Sequence, residues 1–166
     1  MAENHRKSLI LLIAVLVAAI CCFAFNKIFP DSLSRETELA AQEFGVDEAL
    51  LRGMIFAESR YDVNAVSHAG ASGPMQLMPV VREMMSERTG IQADGSAESE
   101  IRLGAAYIAY LLDRFGDVRV ALAAYNAGPS NAERWLRDGW DPYPETAQYI
   151  KRVLFASRVY ARALGF

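Results

Sequence analysis

Hydrophobic positions fall into two regimes along the chain. From Leu9 to Phe25 an apolar run carries no charge and almost nothing polar. Beyond Ser34 apolar positions recur at the three- and four-residue spacing of amphipathic helices, and strand-like alternation never replaces it. The predicted fold class is therefore all-α, one apolar N-terminal helix followed by a helical domain. After a linker at 27–34 containing Pro30 and Asp31, a helix is expected over Arg35–Phe44, capped by Ser34 or Asp31 and closed by Gly45. Asp47 caps a second helix, Glu48–Ser59, and Pro79 can start a third, Val80–Arg88. Glu98–Phe115 is long and amphipathic, with Ile101, Ala105, Ile108 and Leu112 on one side. Helices over Val118–Ala127, Ser130–Arg137 and Glu145–Leu164 complete the expected order, the last two separated by the loop Gly139–Pro144.

The second helix carries the first chemical signal. Leu50, Leu51, Met54 and Ala57 share one face, with Ile55 on its shoulder, and Glu58 comes one turn after Met54. Its carboxyl projects from the apolar face rather than toward water. Burial disfavours ionisation and raises a carboxyl pKa, which suits a group that must give up a proton and then take one back. A structural acid paired with Arg52 or Arg60, or capping a neighbouring helix, is the bland alternative. The residues after Glu58 favour a cleft. A turn-rich stretch, Ser67-His68-Ala69-Gly70-Ala71-Ser72-Gly73-Pro74, leads into the amide-bearing apolar wall Met75-Gln76-Leu77-Met78-Pro79.

Composition narrows the classes. A chain of 166 residues is long enough for one domain with a real core. Its net charge of −3 gives no footprint for nucleic acid. Cys21 and Cys22 both lie in the apolar run, so the folded domain has neither an internal disulfide nor a thiolate metal site. His5 and His68 have no partners that would make a metal site, and no metal or cofactor is expected. At about 1.5 Å per residue, the run at 9–25 is just long enough to cross a bilayer core of roughly 30 Å with help from its flanks. Arg6 and Lys7 precede it, which keeps the N-terminus cytoplasmic and delivers the rest to the far side. An uncleaved single-pass anchor is expected. A cleavable signal sequence ending near Cys22-Phe23-Ala24 is the alternative, and a lipoprotein signal is weaker because Ile20 is bulky.

Five motifs occur in order: Glu58-Ser59, Ser67 with Gly70-Ala71-Ser72-Gly73, Met75-Gln76-Leu77-Met78-Pro79, Ala124-Tyr125-Asn126-Ala127-Gly128, and Glu145-Thr146-x-x-Tyr149. Together they resemble the soluble lytic transglycosylase catalytic domain, the goose-lysozyme-like family that cleaves bacterial peptidoglycan. The resemblance runs over 33–160 and implies a lysozyme-like helical fold for residues 35–166, behind a cytoplasmic tip and anchor at 1–26. It implies that Glu58 is the single catalytic acid. In that family the acid protonates the oxygen between N-acetylmuramic acid and N-acetylglucosamine, then acts as base on the muramic 6-hydroxyl, leaving a 1,6-anhydro end. Two-carboxylate glycosidases need a second acid; the family does without, and the nearby Asp62 reads as a turn residue.

The resemblance further implies that Ser59, Ser67, Met75, Gln76, Met78, Tyr125, Asn126, Glu145 and Tyr149 face the substrate. Gln76 would read acetamido groups while Met75 and Met78 pack on sugar faces. Tyr125 offers a ring face and a hydroxyl, and Asn126 a donor and an acceptor. Glu145 would bind or position, with a favourable acid in a first helical turn as the plain reading. Trp135 and Trp140 could stack on glycan or simply pack in the core. The family has leucine where this chain has Pro74, which removes a backbone donor there. The implied partners are peptidoglycan strands, the bacterial inner membrane through residues 9–25, and an envelope-spanning complex in the periplasm. Hydrolysis of the same bond by water, and glycan binding with little catalysis, stand as rival readings.

Overall fold

The computed structural model describes residues 2–165; in the first helix the described side chains are those of residues 7, 10, 12–20, 23, 27 and 28. The chain divides into two compact units, Met1–Asp31 and Ser32–Phe166. The first is helix α1 (Ala2–Ile28), whose Ile10, Leu12, Ile13, Val15, Leu16 and Val17 are all exposed, so that no side of it is polar over this stretch. The expected membrane segment at 9–25 falls partly on side chains outside the described residues. Among the described residues no helix is long and apolar enough to cross a membrane.

The second unit contains α2 (Ser34–Phe44), α3 (Glu48–Glu58), α4 (Pro79–Thr89), α5 (Ala97–Phe115), α6 (Val118–Ala127), α7 (Pro129–Asp138) and α8 (Pro144–Leu164). Extended pairing among the described residues is limited to isolated bridges, Val66 with Ser72 and Ser72 with Leu77, in the α3–α4 connection. The all-α expectation therefore holds for this unit. Side-chain caps account for several starts: Asp47 accepts from the Leu50 amide at 2.6 Å, and Ser96 from that of Ser99 at 3.1 Å. Helices α4, α7 and α8 each begin one residue earlier than expected, on Pro79, Pro129 and Pro144. Proline serves there as the first helical residue, where a missing N–H leaves nothing unsatisfied. Helix α2 departs in another way. Ser34 is already helical, Leu33 occupies the cap position, and the Thr37 hydroxyl donates to the Leu33 carbonyl at 2.6 Å.

The core gathers around α3. Leu51, Met54 and Ile55 are fully buried, together with Ile101, Leu103, Ile108 and Leu111 of α5, Leu122 of α6 and Val153 of α8. Each such side chain contributes roughly 1.5–3 kcal/mol of burial. Leu111, not Leu112, completes the buried face of α5. A side chain at Gly53 would place its Cβ 2.8 Å from both the Ser157 nitrogen and the Val153 carbonyl. Only glycine lets the α3 and α8 backbones meet this closely, and that contact brings the end of α3 against the first half of α8.

Candidate active site

Glu58 is the last residue of α3, with Ser59 as the C-terminal cap. Loss of water around the carboxyl pushes its pKa up to about 7, while the Tyr149 hydroxyl and then the positive charge of Arg152 pull it part of the way back. Tyr149 is buried on α8, and its hydroxyl has no partner at regular hydrogen-bond geometry. Glu58 is the acid that this phenol acts upon. Tyr125 of α6 joins them. Burial first, and then the Glu58 charge, push its phenol well above the ordinary range, as they do for Tyr149. A carboxyl that is half-protonated near neutrality, beside two phenols that stay protonated, can donate a proton and later accept one.

The facing wall is the segment 72–77, and its carbonyls are taken up one after another by side chains. Ser72 O accepts from Arg82 at 3.4 Å and Gly73 O from Gln76 Nε2 at 2.9 Å. Pro74 O accepts from Ser59 Oγ at 2.9 Å, and Met75 O from the Tyr125 hydroxyl at 2.8 Å. Gln76 Nε2 also donates to Ala65 O at 3.0 Å, and its backbone sits at φ 47°, a left-handed conformation held by these bonds. The wall is thus fastened to α3 through Ser59 and to α6 through Tyr125.

The residues expected to face substrate therefore separate. Glu58, Tyr125 and Tyr149 come together as one cluster. Ser59 and Gln76 spend their donors on the wall, so the Gln76 amide nitrogen braces the loop instead of being free to read an acetamido group. Met75 corrects its expected role: it is fully buried, and a Cβ at Gly104 would lie 2.7 Å from its Cγ. Its flexible side chain fills the notch that Gly104 leaves, and only its carbonyl serves the cluster. Met78 is exposed at the start of α4. Ser67 closes its own tight loop, accepting from the Ala71 amide at 3.0 Å with its hydroxyl hydrogen left to donate. Asn126 is exposed at the end of α6 and accepts from the buried Thr146 hydroxyl at 2.9 Å. That bond ties α6 to the first turn of α8, where Glu145 is exposed one turn ahead of Tyr149. Trp135 is buried, with edge contacts to Trp140 and Tyr143 at 6.5 and 5.0 Å between ring centres, and so behaves as core.

Sequence reasoning missed Arg152, whose guanidinium lies 6.0 Å from the Tyr149 ring centre, and Tyr107, which packs on Tyr125 at 5.3 Å. It also missed the ion pair of Arg82 with Glu100. Arg152 comes three positions after Tyr149 on one helix, a spacing that could have flagged it. A concavity of about 780 Å³ lies elsewhere, between α2 and α5, lined by Arg35, Leu39 and Arg102 among others, and holds none of the cluster. Among the described residues no group of three or more His, Cys, Asp or Glu could hold a metal ion.

What emerges is a small all-α domain built around one half-buried carboxylic acid and two phenols. Residues 37–142 match the family model described as "Transglycosylase SLT domain", and the chain belongs to that family. It is similar to the soluble lytic murein transglycosylase of Escherichia coli K12, with 32% identity over 126 residues covering 65% of this chain and 20% of that one. It is also similar to the membrane-bound lytic murein transglycosylase F of Desulfosudis oleivorans, with 38% identity over 145 residues covering 77% of this chain and 31% of that one. Among solved structures, an inactive mutant of the lytic transglycosylase Slt from Pseudomonas aeruginosa superposes with a TM-score of 0.79 and 31% identity, over 84% of this chain and 25% of that one. This chain thus spans between a fifth and a third of the length of these relatives.

Proposed function

We propose that this protein is a peptidoglycan lytic transglycosylase in which Glu58 acts first as acid and then as base. The observation that carries this reading is the Glu58 carboxyl, held half-protonated at a pKa of about 7 beside Tyr149 and Tyr125. Glu58 gives its proton to the oxygen between N-acetylmuramic acid and N-acetylglucosamine, and the C1–O bond breaks. The acetamido group of the muramic residue covers the developing cation. The carboxylate then takes the proton of the 6-hydroxyl as O6 bonds to C1. A 1,6-anhydro end results, no water is consumed, and Glu58 regains its proton. The Pseudomonas relative is an inactive mutant in which a glutamate is exchanged for glutamine, which supports an essential carboxyl here.

Roles for the other residues rest on their placement. Tyr149 orients the acid, and Tyr125, its hydroxyl held by the Met75 carbonyl, offers its half-buried ring to the sugar. Asn126, Glu145 and Met78, all exposed, line the path of the strand, and Ser67 offers its hydroxyl near the cleaved bond. Residues 9–25 serve as a single-pass anchor in the bacterial inner membrane, with the N-terminus cytoplasmic and the unit 32–166 in the periplasm. The uncharged run behind Arg6 and Lys7 supports this, as does the likeness to a relative named membrane-bound. An envelope-spanning complex is the kind of partner that such a location offers.

The test is digestion of purified sacculi by the full chain, with soluble products identified by mass spectrometry. Anhydro ends are expected, and Glu58→Gln should release nothing while still sedimenting with sacculi. Reducing ends would mark a hydrolase, and no release by the unaltered chain would leave a binding protein.

A further inference from the structure

We propose that the ion pair of the half-buried Arg82 with the buried Glu100 is a positioning device that sets the 72–77 wall against Glu58 and Tyr125. The proposal rests on the reading of Glu58 as the catalytic acid. Arg82 stands on the first turns of α4, and its Nε and Nη2 meet the two Glu100 oxygens of α5 at 2.7 and 3.0 Å. The same Nη2 donates to Ser72 Oγ at 2.8 Å and reaches the carbonyls of Leu77 and Ser72 at 3.3 and 3.4 Å. A single guanidinium therefore joins α4, α5 and both ends of the wall. The wall also lies directly on the carboxylate. At Gly73, φ is +78° and an added Cβ would be 3.2 Å from Glu100 Cγ and Oε2. Between those ends sit the Pro74 carbonyl that holds Ser59, next to Glu58, and the Met75 carbonyl that fixes the hydroxyl of Tyr125.

A stability role alone explains this arrangement poorly. Two charges taken out of water lose hydration that their attraction barely returns, and an apolar pair of similar volume commonly does as well or better. What an apolar pair cannot supply is the directional fork that grips carbonyls and carboxylate together. The charge of Glu100 also raises the pKa of Tyr125, which keeps that phenol a donor. The groups facing Glu58 are Tyr149 and Arg152 from α8 and Tyr125 from α6, and neither member of the pair is among those that move its titration. A change in the Glu58 titration on altering the pair would therefore report wall geometry rather than lost charge.

The full chain is compared with Arg82→Lys and with the double variant Arg82→Met/Glu100→Leu. Three quantities are read: kcat and KM on soluble glycan strands, the melting temperature, and the Glu58 titration midpoint by carbon NMR. The double variant should stay folded, its melting temperature lowered by no more than the lost bonds to Ser72 and Leu77 require, yet lose roughly ten- to a hundredfold in kcat with little change in KM. Its Glu58 midpoint should fall from about 7 toward the ordinary carboxyl range as water reaches the acid. Arg82→Lys should show the same kcat loss, because an ammonium cannot reproduce the fork. A folded double variant with unaltered kcat and midpoint overturns the proposal, and so does one that no longer folds, since the pair is then a stability element. If the unaltered chain releases no glycan, the enzymatic reading fails instead. The midpoint then decides alone: a fall in the variant upholds the positioning role, and an unchanged value overturns it.

Discussion

Ser59 Oγ donates to the Pro74 carbonyl at 2.9 Å, tying the residue next to Glu58 to a loop 15 positions further along the chain. Proline has no N–H, so its carbonyl is the one backbone group available for fastening at that point. The leucine that the family carries there would present the same acceptor, and the substitution leaves this bond intact. Ser59→Ala should cost about 1 kcal/mol of stability, the ordinary worth of such a bond. Its kcat should fall more than its KM rises, because the wall is loosened while the substrate's own contacts remain. Denaturant melts and steady-state kinetics on glycan strands check both.

Glu58→Gln should abolish turnover and also stabilise the fold above neutral pH. The folded carboxyl titrates near 7, above its unfolded value, so between about pH 4.5 and 7 the unfolded chain is ionised while the folded one still holds its proton. Stability is then lost as pH rises through that window and stays lower above it. The whole effect is on the order of 1–3 kcal/mol. Melting curves of the two proteins should coincide near pH 4 and separate by pH 8, with the variant higher. Coincidence at pH 8 would mean that the acid is hydrated.

The proposed mechanism requires the acid form of Glu58, so activity should decline as pH rises through about 7. The Tyr149 hydroxyl holds that pKa down, and Tyr149→Phe should therefore move the alkaline limb of the pH–rate profile upward. The same hydroxyl is buried without a regular hydrogen-bond partner, so below about pH 7, where Glu58 keeps its proton, its removal should leave the melting temperature unchanged or slightly raised. A profile that moves downward would contradict the assigned direction.

Gly53→Ala should be strongly destabilising despite the better helix propensity of alanine. Its Cβ would meet backbone atoms of α8 at 2.8 Å, and backbone cannot turn aside as a side chain can. A loss of about 1–3 kcal/mol is expected, readable as a fall in melting temperature. Gly104→Ala would bring its Cβ within 2.8 Å of Met75 Cβ and Cγ, so it too should be destabilising, and the shift it forces on Met75 should loosen the wall.

The helices were legible because their signals are local. Asp47 accepts from the Leu50 amide three residues ahead, and Gly45 closes α2 in the left-handed conformation, both as their places in the sequence indicate. The burial of Glu58 was legible for the same reason, since its position relative to Leu51 and Met54 defines the side of the helix it occupies. The fate of Met75 and Gln76 was not. Whether a side chain in an irregular loop turns inward depends on what waits there, and Gly104 is 29 positions away in sequence. Arg82 and Glu100 lie 18 positions apart on different helices, and helix periodicity has nothing to say about such a pair. Tyr149 was placed by the family motif alone; periodicity would have read it as ordinary core.

The close seating of α3 on α8 at Gly53 has a mechanical corollary. Helices whose main chains touch cannot slide or tilt without collision, so the Glu58 carboxyl at the tip of one and the Tyr149 phenol on the other travel as a single stiff unit.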